Sequence, residues 1–269
     1  MMTPEITDFQ QLVLSYYAAH GRHDMLWRQP PFDPYKIMVS EVMLQQTQVA
    51  RVTEKFPAFL RFFPDVQALA TAPLADVLAA WSGLGYNRRA KFLWQAAQII
   101  MSNFDGIFPT TGDELTTLPG VGRNTAGAIA AYAFNQPVVF IETNIRTVII
   151  HHFFEDKQDI SDADIMQIIG AALDKKAPRQ WYYALMDYGA FLKQTVGNLN
   201  KQSKSYSKQS RFAGSLRQLR GQVLRLLRGN ALTIKQLSRQ VTDERLPQAL
   251  IDLEKEALIS YDGQRYRLG

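Results

Sequence analysis

The run Leu118-Pro-Gly-Val-Gly-Arg-Asn-Thr-Ala126 constrains this chain more than any other stretch. Gly120 and Gly122 lack a Cβ, so the backbone there can turn tightly and come close to a partner. Pro119 presets one dihedral, and Thr125-Ala-Gly-Ala-Ile-Ala130 then restarts a helix. The run predicts two helices joined by a hairpin whose unpaired amides and following helix N-terminus point outward, which suits a phosphate. An ordinary αα-hairpin can also carry Gly-x-Gly, but the whole run is far more specific.

Charge distribution points the same way. Between Tyr188 and Thr242 stand eleven Lys and Arg and no Asp or Glu. Such a segment attracts polyanions with salt-dependent affinity. A solvated basic linker explains it equally well in isolation; beside the hairpin, nucleic acid is the better reading. The chain has no cysteine, which excludes disulfides and thiolate-held metal or iron–sulfur sites. Four histidines, with His151 and His152 adjacent, lack ligand spacing, so no side-chain metal site is expected. The N-terminus lacks a basic region followed by an apolar run, and no window reaches membrane-span length. The expectation is a soluble cytoplasmic protein, nucleoid-associated, without a membrane partner.

Helical periodicity dominates up to the C-terminal region. It predicts helices over 8–17, 37–63 with a break at Pro57, 74–81, 88–104, 112–118, 123–134, 143–154, 161–173 and 180–192. Residues 197–215 are polar and lack the apolar side chains that repay ordering entropy, so a linker or loose arm is expected. After it, helices are expected over 215–228, 232–240 with Thr233 as N-cap, and 246–256. Asp262-Gly263 then turns a short β-hairpin. Three helices and a β-wing resemble a winged helix, a module that binds DNA or other proteins. The fold class expected is all-α, a two-lobed core over 1–196, a basic polar linker over 197–214, and a small winged-helix-like (α+β) domain over 215–269.

Two further segments carry candidate chemistry. In Ser40-Glu-Val-Met-Leu-Gln-Gln-Thr-Gln48, Glu41 is expected near a helix start, among apolar Val42, Met43 and Leu44. A pocket that raises its pKa makes such a carboxyl a general acid; on spacing alone, a solvent-facing first-turn glutamate is the simpler reading. In Val138-Val-Phe-Ile-Glu-Thr-Asn-Ile-Arg146, an apolar run ends at Glu142 and a helix begins, with Thr143 or Asn144 as N-cap. Glu142 there either stabilises positive charge on a substrate or serves the helix start alone.

Residues 26–192, roughly three-fifths of the chain, resemble the helix-hairpin-helix (HhH-GPD) DNA glycosylases, and most nearly their MutY-type adenine glycosylases. The matching segments are Trp27-Arg28, Asp33-Pro-Tyr-Lys36, the 40–48 run, Trp81-Ser-Gly-Leu-Gly-Tyr86 and the hairpin. The 40–48 run is the most specific, because the related endonuclease III branch has no glutamate there. The resemblance implies that Glu41 protonates a flipped adenine at N7 and that Asn144 lies near the cleaved sugar. It places Arg28, Asn124 and Asp187 in the base pocket. Gln46, Thr47, Leu84 and Tyr86 would probe the base pair. Gly120, Val121, Gly122 and Thr125 would hold a backbone phosphate, with a monovalent cation admitted at the hairpin carbonyls. The partner implied is double-stranded DNA with a mispair or lesion, bound by a monomer.

Three departures accompany the resemblance. The family's catalytic aspartate aligns with Glu142, one methylene longer. The usual iron–sulfur loop has Lys193, Asn200, Ser203 and Gln209 where cysteines would stand, so no cofactor is expected and Lys201, Lys204 and Lys208 supply the basic surface. The usual C-terminal domain that recognises 8-oxoguanine gives way to the winged-helix-like tail. Bifunctional relatives use a lysine where this chain has Asn124, so a monofunctional glycosylase is expected. Its target is expected to be adenine opposite 8-oxoguanine or guanine, the alternatives being another damaged base or a non-catalytic lesion reader.

Overall fold

A computed structural model describes residues 4–154, 157–208 and 211–269. Their helices run α1 (Pro4–His20), α2 (Pro34–Leu44), α3 (Val49–Phe62), α4 (Val66–Thr71), α5 (Leu74–Ala80), α6 (Arg88–Asn103) and α7 (Gly112–Thr116). They continue as α8 (Arg123–Phe134), α9 (Thr143–Phe153), α10 (Asp162–Ala172), α11 (Pro178–Thr195), α12 (Leu216–Leu226), α13 (Ile234–Gln240) and α14 (Leu246–Lys255). Strands β1 (Ile259–Tyr261) and β2 (Tyr266–Leu268) close the chain. The predominantly helical class expected from periodicity is the one observed.

The chain forms two compact units. The first contains residues up to Ile37, Thr110–Thr116 and Val121–Lys208. Its hub is α11, which packs on α9, α1 and α8. Every residue of α8 from Ala126 to Ala133 is buried, because a run of small side chains lets neighbouring elements close on all its sides. Asn135 ends that helix in the left-handed conformation at φ 54°, and Arg179 donates to the carbonyls of Tyr132 at 2.5 Å and Ala133 at 2.9 Å. Both devices satisfy carbonyls that a helix end leaves unpaired.

The second unit contains Met38–Pro109, Thr117–Gly120 and the chain after Lys208. Here α6 packs on α4 and α5 around buried Leu69, Trp81, Leu93 and Ile100. The C-terminal segment contributes α12 against α14, β1 against α14 and β2 against α5. Antiparallel β1 and β2 pair Ile259 with Leu268 and Tyr261 with Tyr266, and Leu232 bridges to Tyr266. The three helices and wing expected from sequence are present, with Thr233 capping α13 reciprocally with Gln236.

Several local expectations change. The helix predicted over 37–63 breaks at Gln45–Gln48 and not at Pro57, which lies inside α3. Buried Val52, Phe56 and Phe59 anchor the turns on both sides of Pro57, and Thr53, four residues before the proline that lacks an amide donor, lies on the exposed side. Helix α4 went unread; it starts at Asp65, whose carboxylate accepts from the Ala68 amide at 2.8 Å. The expected loose arm contains a 3-10 turn, Leu199–Gln202, with Asn200 and Ser203 buried. Ser203 bridges to Ile160, and the Lys204 amide donates to the Ile160 carbonyl at 3.0 Å.

The end of α2 is fixed by Arg89, a buried side chain on α6. One guanidinium nitrogen donates to the carbonyls of Val42 (2.8 Å), Met43 (3.0 Å) and Gln45 (2.5 Å). The other donates to Thr47 Oγ1 and to the carbonyls of Leu84 and Gly85, each at 3.1 Å. These acceptors are the orphan carbonyls of a helix C-terminus and of a glycine loop, gathered on one cation. Burial lowers the Arg89 pKa to about 10, so it stays charged at neutral pH. Replacing Arg89 with Met strands several buried carbonyls and is expected to cost about 3 kcal/mol or more in urea unfolding. Arg89→Lys is expected to recover little of that loss, because one ammonium cannot span the fork of acceptors.

Candidate functional site

Helix α2 carries Glu41. Asp33 accepts from the Tyr35 amide at 2.9 Å, its carbonyl accepts from Ile37 at 3.0 Å, and Pro34 takes the first helical position. The helix therefore starts well before the apolar run, and Glu41 lies in its third turn. The expected placement near the helix start is corrected by this earlier cap. Glu41 is half-buried between the buried Ser40 and Val42. Past Leu44 the chain turns through Gln46 at φ 56°, and the Gln45 carboxamide donates to the Gly120 carbonyl at 3.5 Å.

In the same unit the loop from Gly83 to Tyr86 follows α5. Thr47 and this loop meet on Arg89, which ties Gln46, Thr47 and Tyr86 into one exposed-to-half-buried rim. Leu84 differs from expectation: its side chain is 4% exposed, so the loop presents backbone here and not a probing leucine. Tyr86 holds φ 46° and receives a hydrogen bond on its hydroxyl from Arg217 of α12, whose guanidinium lies 5.0 Å from the ring centroid.

The hairpin joins α7 to α8. Gly120 has φ 78°, and a Cβ there would meet the Phe92 Cβ at 2.9 Å, so glycine is required for both reasons. Val121 is buried and Gly122 exposed, and Gly122 precedes α8 with no side-chain cap on that helix. Thr125 is half-buried in the first turn of α8. Asn124 is exposed, and its carboxamide oxygen accepts from the Ile141 amide at 3.3 Å. That bond holds the segment leading directly into Glu142.

Glu142 itself caps α9, in place of the expected Thr143 or Asn144. Its backbone is extended at φ −126°, and its carboxylate accepts from the Asn144 amide at 2.7 Å. Burial pushes the Glu142 carboxyl above its ordinary range; the Asn144 and Thr143 amides and Lys193 offset part of that rise. Asn144 abuts α11 at Gly189, where a Cβ would lie 2.2 Å from the Asn144 carbonyl oxygen. Only glycine permits that approach.

Two residues before Gly189, Asp187 lies in a buried ion cluster. Arg28 binds it bidentately at 2.9 and 3.0 Å, and the Arg22 side chain and amide add contacts at 2.5 to 2.7 Å. The Arg28 and Asp187 side chains are 6% and 2% exposed, against 32% for Arg22. Burial favours the neutral acid, but Arg28 and Arg22 outweigh it and hold the Asp187 pKa below its usual value. Arg28 also lies 4.4 Å over the Tyr183 ring. The structure thus unites Arg28 with Asp187, Glu142 with Asn144, and Asn124 with Ile141, the residue before Glu142.

The cysteine-free loop has its own supports. Arg146 bonds Asp162, Ser203 and Ser205, and the Asn200 carboxamide donates to Thr147 at 2.8 Å. Lys193 is exposed on the last turn of α11, and Gln209 lies outside the described residues. These side chains do not fit an iron–sulfur cluster: amide and hydroxyl groups already engaged in hydrogen bonds replace thiolates. Among the described residues no group of three or more His, Asp or Glu is placed to hold a metal ion, and no helix is long and apolar enough to cross a membrane. Lys201, Lys204 and Lys208 are exposed along this loop. Sequence reasoning missed Arg22, Arg89, Arg146 and Arg217; no local spacing links any of them to its partners.

Comparison with known proteins supplies the family. The HhH-GPD superfamily base excision DNA repair protein family matches residues 39–173. An adenine DNA glycosylase of Mycolicibacterium smegmatis is 35% identical over 243 residues, 82% of this chain and 81% of that protein. An adenine DNA glycosylase of Buchnera aphidicola is 36% identical over 188 residues, 68% of this chain and 52% of that one, so the chain spans about half of this second relative. A solved thermostable thymine-DNA glycosylase shares the fold at TM-score 0.62 and 23% identity, covering 69% of this chain and 86% of its own. By these matches, joined to the hairpin and the 40–48 helix, the chain belongs to the HhH-GPD superfamily of base excision DNA repair proteins.

Proposed function

We propose that the chain is a monofunctional DNA glycosylase that removes adenine mispaired with 8-oxoguanine or guanine. The observation that carries this reading is that Glu41 and Glu142 both fall within the stretch matching the repair family, with the Glu142 carboxylate pinned at 2.7 Å on a helix N-terminus. Relatives named adenine DNA glycosylase support the base assigned.

The target base is stacked inside the duplex, so it must be flipped out, at a cost of a few kcal/mol. Glu41 protonates the flipped adenine at N7, which draws electrons from the glycosidic bond and lets the neutral base leave. The ionised Glu142 stabilises the sugar cation left behind, and Asn144 lies beside that sugar. Water then adds to the cation, its proton passing to the Glu41 carboxylate, which restores the acid and leaves an abasic site. Arg28, Asn124 and Asp187 shape the base pocket, the two arginine contacts keeping Asp187 ionised and immobile. Gly120, Val121, Gly122 and Thr125 hold a backbone phosphate through backbone amides, and Gln46, Thr47, Leu84 and Tyr86 read the pair. Leu84 must leave its buried position to do so. Lys201, Lys204 and Lys208 add salt-dependent affinity. Asn124 has no amine, so no Schiff base forms and the backbone stays intact. The protein acts as a cytoplasmic, nucleoid-associated monomer, built as a core over 1–196, a linker over 197–214 and a winged-helix-like domain over 215–269.

Single-turnover cleavage of duplexes with adenine opposite 8-oxoguanine, guanine, cytosine or thymine, developed with alkali, tests the activity. Wild type is expected to release adenine opposite 8-oxoguanine and guanine, and Glu41→Gln to lose about 10²–10⁴-fold in rate. Full activity in Glu41→Gln, or no adenine release by wild type, sinks the reading.

Glu142 supplies a second test through pH. Its folded pKa lies above the reference value of 4.5, so folding favours the protonated acid. The stability it contributes is present below that reference value and is lost as pH rises through the folded pKa. Glu142→Gln is therefore expected to melt higher than wild type at neutral pH. The gap should close as pH falls towards about 4.5, while base release drops by roughly a hundredfold or more. Melting curves across pH 4–8 check the sign; a gap that widens towards acid contradicts it.

A further inference from the structure

Within the second unit, a cavity of about 660 Å³ opens between α3, the Gly83–Tyr86 loop and α12. That volume lies within the range of about 300–1,000 Å³ typical of ligand sites. Among the described residues lining it, Arg51, Lys55, Arg217, Arg225 and Arg228 stand against one carboxylate, Glu54, which Lys55 pairs at 3.3 Å. Arg217, Gly221 and Arg225 share one face of α12, spaced four residues apart, and Arg228 follows in the turn after the helix. Arg225 and Arg228 are exposed, while Arg217 is half-buried and fixed on Tyr86.

Gly221 is the telling residue. It lies inside a helix, where glycine is unfavourable, and its φ is ordinary. A Cβ built on it meets nothing within 4 Å, so no neighbour requires a glycine there. What its absent side chain leaves is open room on the arginine-bearing face, beside an aromatic wall. Cations for phosphate, a ring for a base and space between them are the components of a nucleotide site.

We infer that this cavity receives a second nucleotide of the bound duplex, other than the one whose base is cleaved. Its phosphate rests on Arg225 and Arg228, and its base enters the room over Gly221. Arg217 is a positioning residue that holds Tyr86 as the wall. The C-terminal segment thereby takes part in reading DNA. This rests on the duplex-binding reading proposed above.

The test uses the full chain with Gly221→Phe, which fills the room without touching the proposed catalytic carboxylates, and with Arg225→Ala/Arg228→Ala. Fluorescence anisotropy gives duplex Kd, single-turnover titration gives the maximal rate constant, and melting gives Tm. Gly221→Phe is expected to weaken duplex binding at least tenfold, with the maximal rate constant within twofold of wild type and Tm unchanged or higher. The double variant is expected to flatten the slope of log Kd against log salt by about two, one per lost phosphate contact. Unchanged duplex Kd in Gly221→Phe at unchanged Tm overturns the inference. So does a cavity that binds free dAMP or dGMP in wild type but not in Gly221→Phe while duplex affinity stays the same, since the nucleotide is then a free one. If wild type releases no base from any duplex, the proposed activity fails, and anisotropy on the same duplexes still decides the cavity's role.

Discussion

One buried cation organises the second unit. Arg89 collects carbonyls from the end of α2 and the turn after it, and from the glycine loop after α5, and so sets where these two stretches of chain meet. A helix C-terminus carries partial negative charge and unpaired acceptors, and a guanidinium satisfies both at once. The arrangement makes the length of α2 a tertiary property. Pro57 fails to interrupt α3, while the turn at Gln45–Gln48 is enforced from a different helix. Glu41 inherits its place in the third turn of α2 from a cap at one end and from Arg89 at the other.

The first unit solves a different problem, which is to keep ionised groups out of water. Asp187 is almost wholly enclosed and remains charged because two guanidiniums and a backbone amide surround it. Glu142 is less generously supplied: helix amides hold it, yet burial dominates and raises its pKa. The two carboxylates thus lie on opposite sides of their ordinary titration range, in one unit, through the number of cations each touches. An acid left partly unsatisfied contributes little to stability at neutral pH.

The hairpin, the helix over α8, the Thr233 cap of α13 and the C-terminal β-hairpin were legible from sequence because each is written in neighbouring residues. Gly120 and Pro119 announce a turn, and Asp262-Gly263 a second one. Glu41 and Glu142 were legible as candidates, but their settings were not. The start of α2 depended on Asp33 and Pro34, which precede the apolar periodicity, and the cap of α9 fell on Glu142 although shorter polar residues follow it. Contacts such as Arg89 with Val42, Arg22 with Asp187 and Arg217 with Tyr86 span 47, 165 and 131 residues, and nothing local encodes them. The resemblance offered Leu84 as a probe of the base pair; the residue is instead buried in the loop that its glycine neighbours form.

The loop around Asn200 and Ser203 shows what it means to build a basic surface from amides, hydroxyls and one arginine. Thiolate-bound iron is a target for the oxidants that also damage nucleobases, and its loss releases the loop it anchors. Here the anchoring groups are Arg146, Asp162, Thr147 and the serines, none of which has a redox state. The exposed lysines Lys201, Lys204 and Lys208 thus lie along a loop held by hydrogen bonds and an ion pair, whose strength no thiol chemistry can alter.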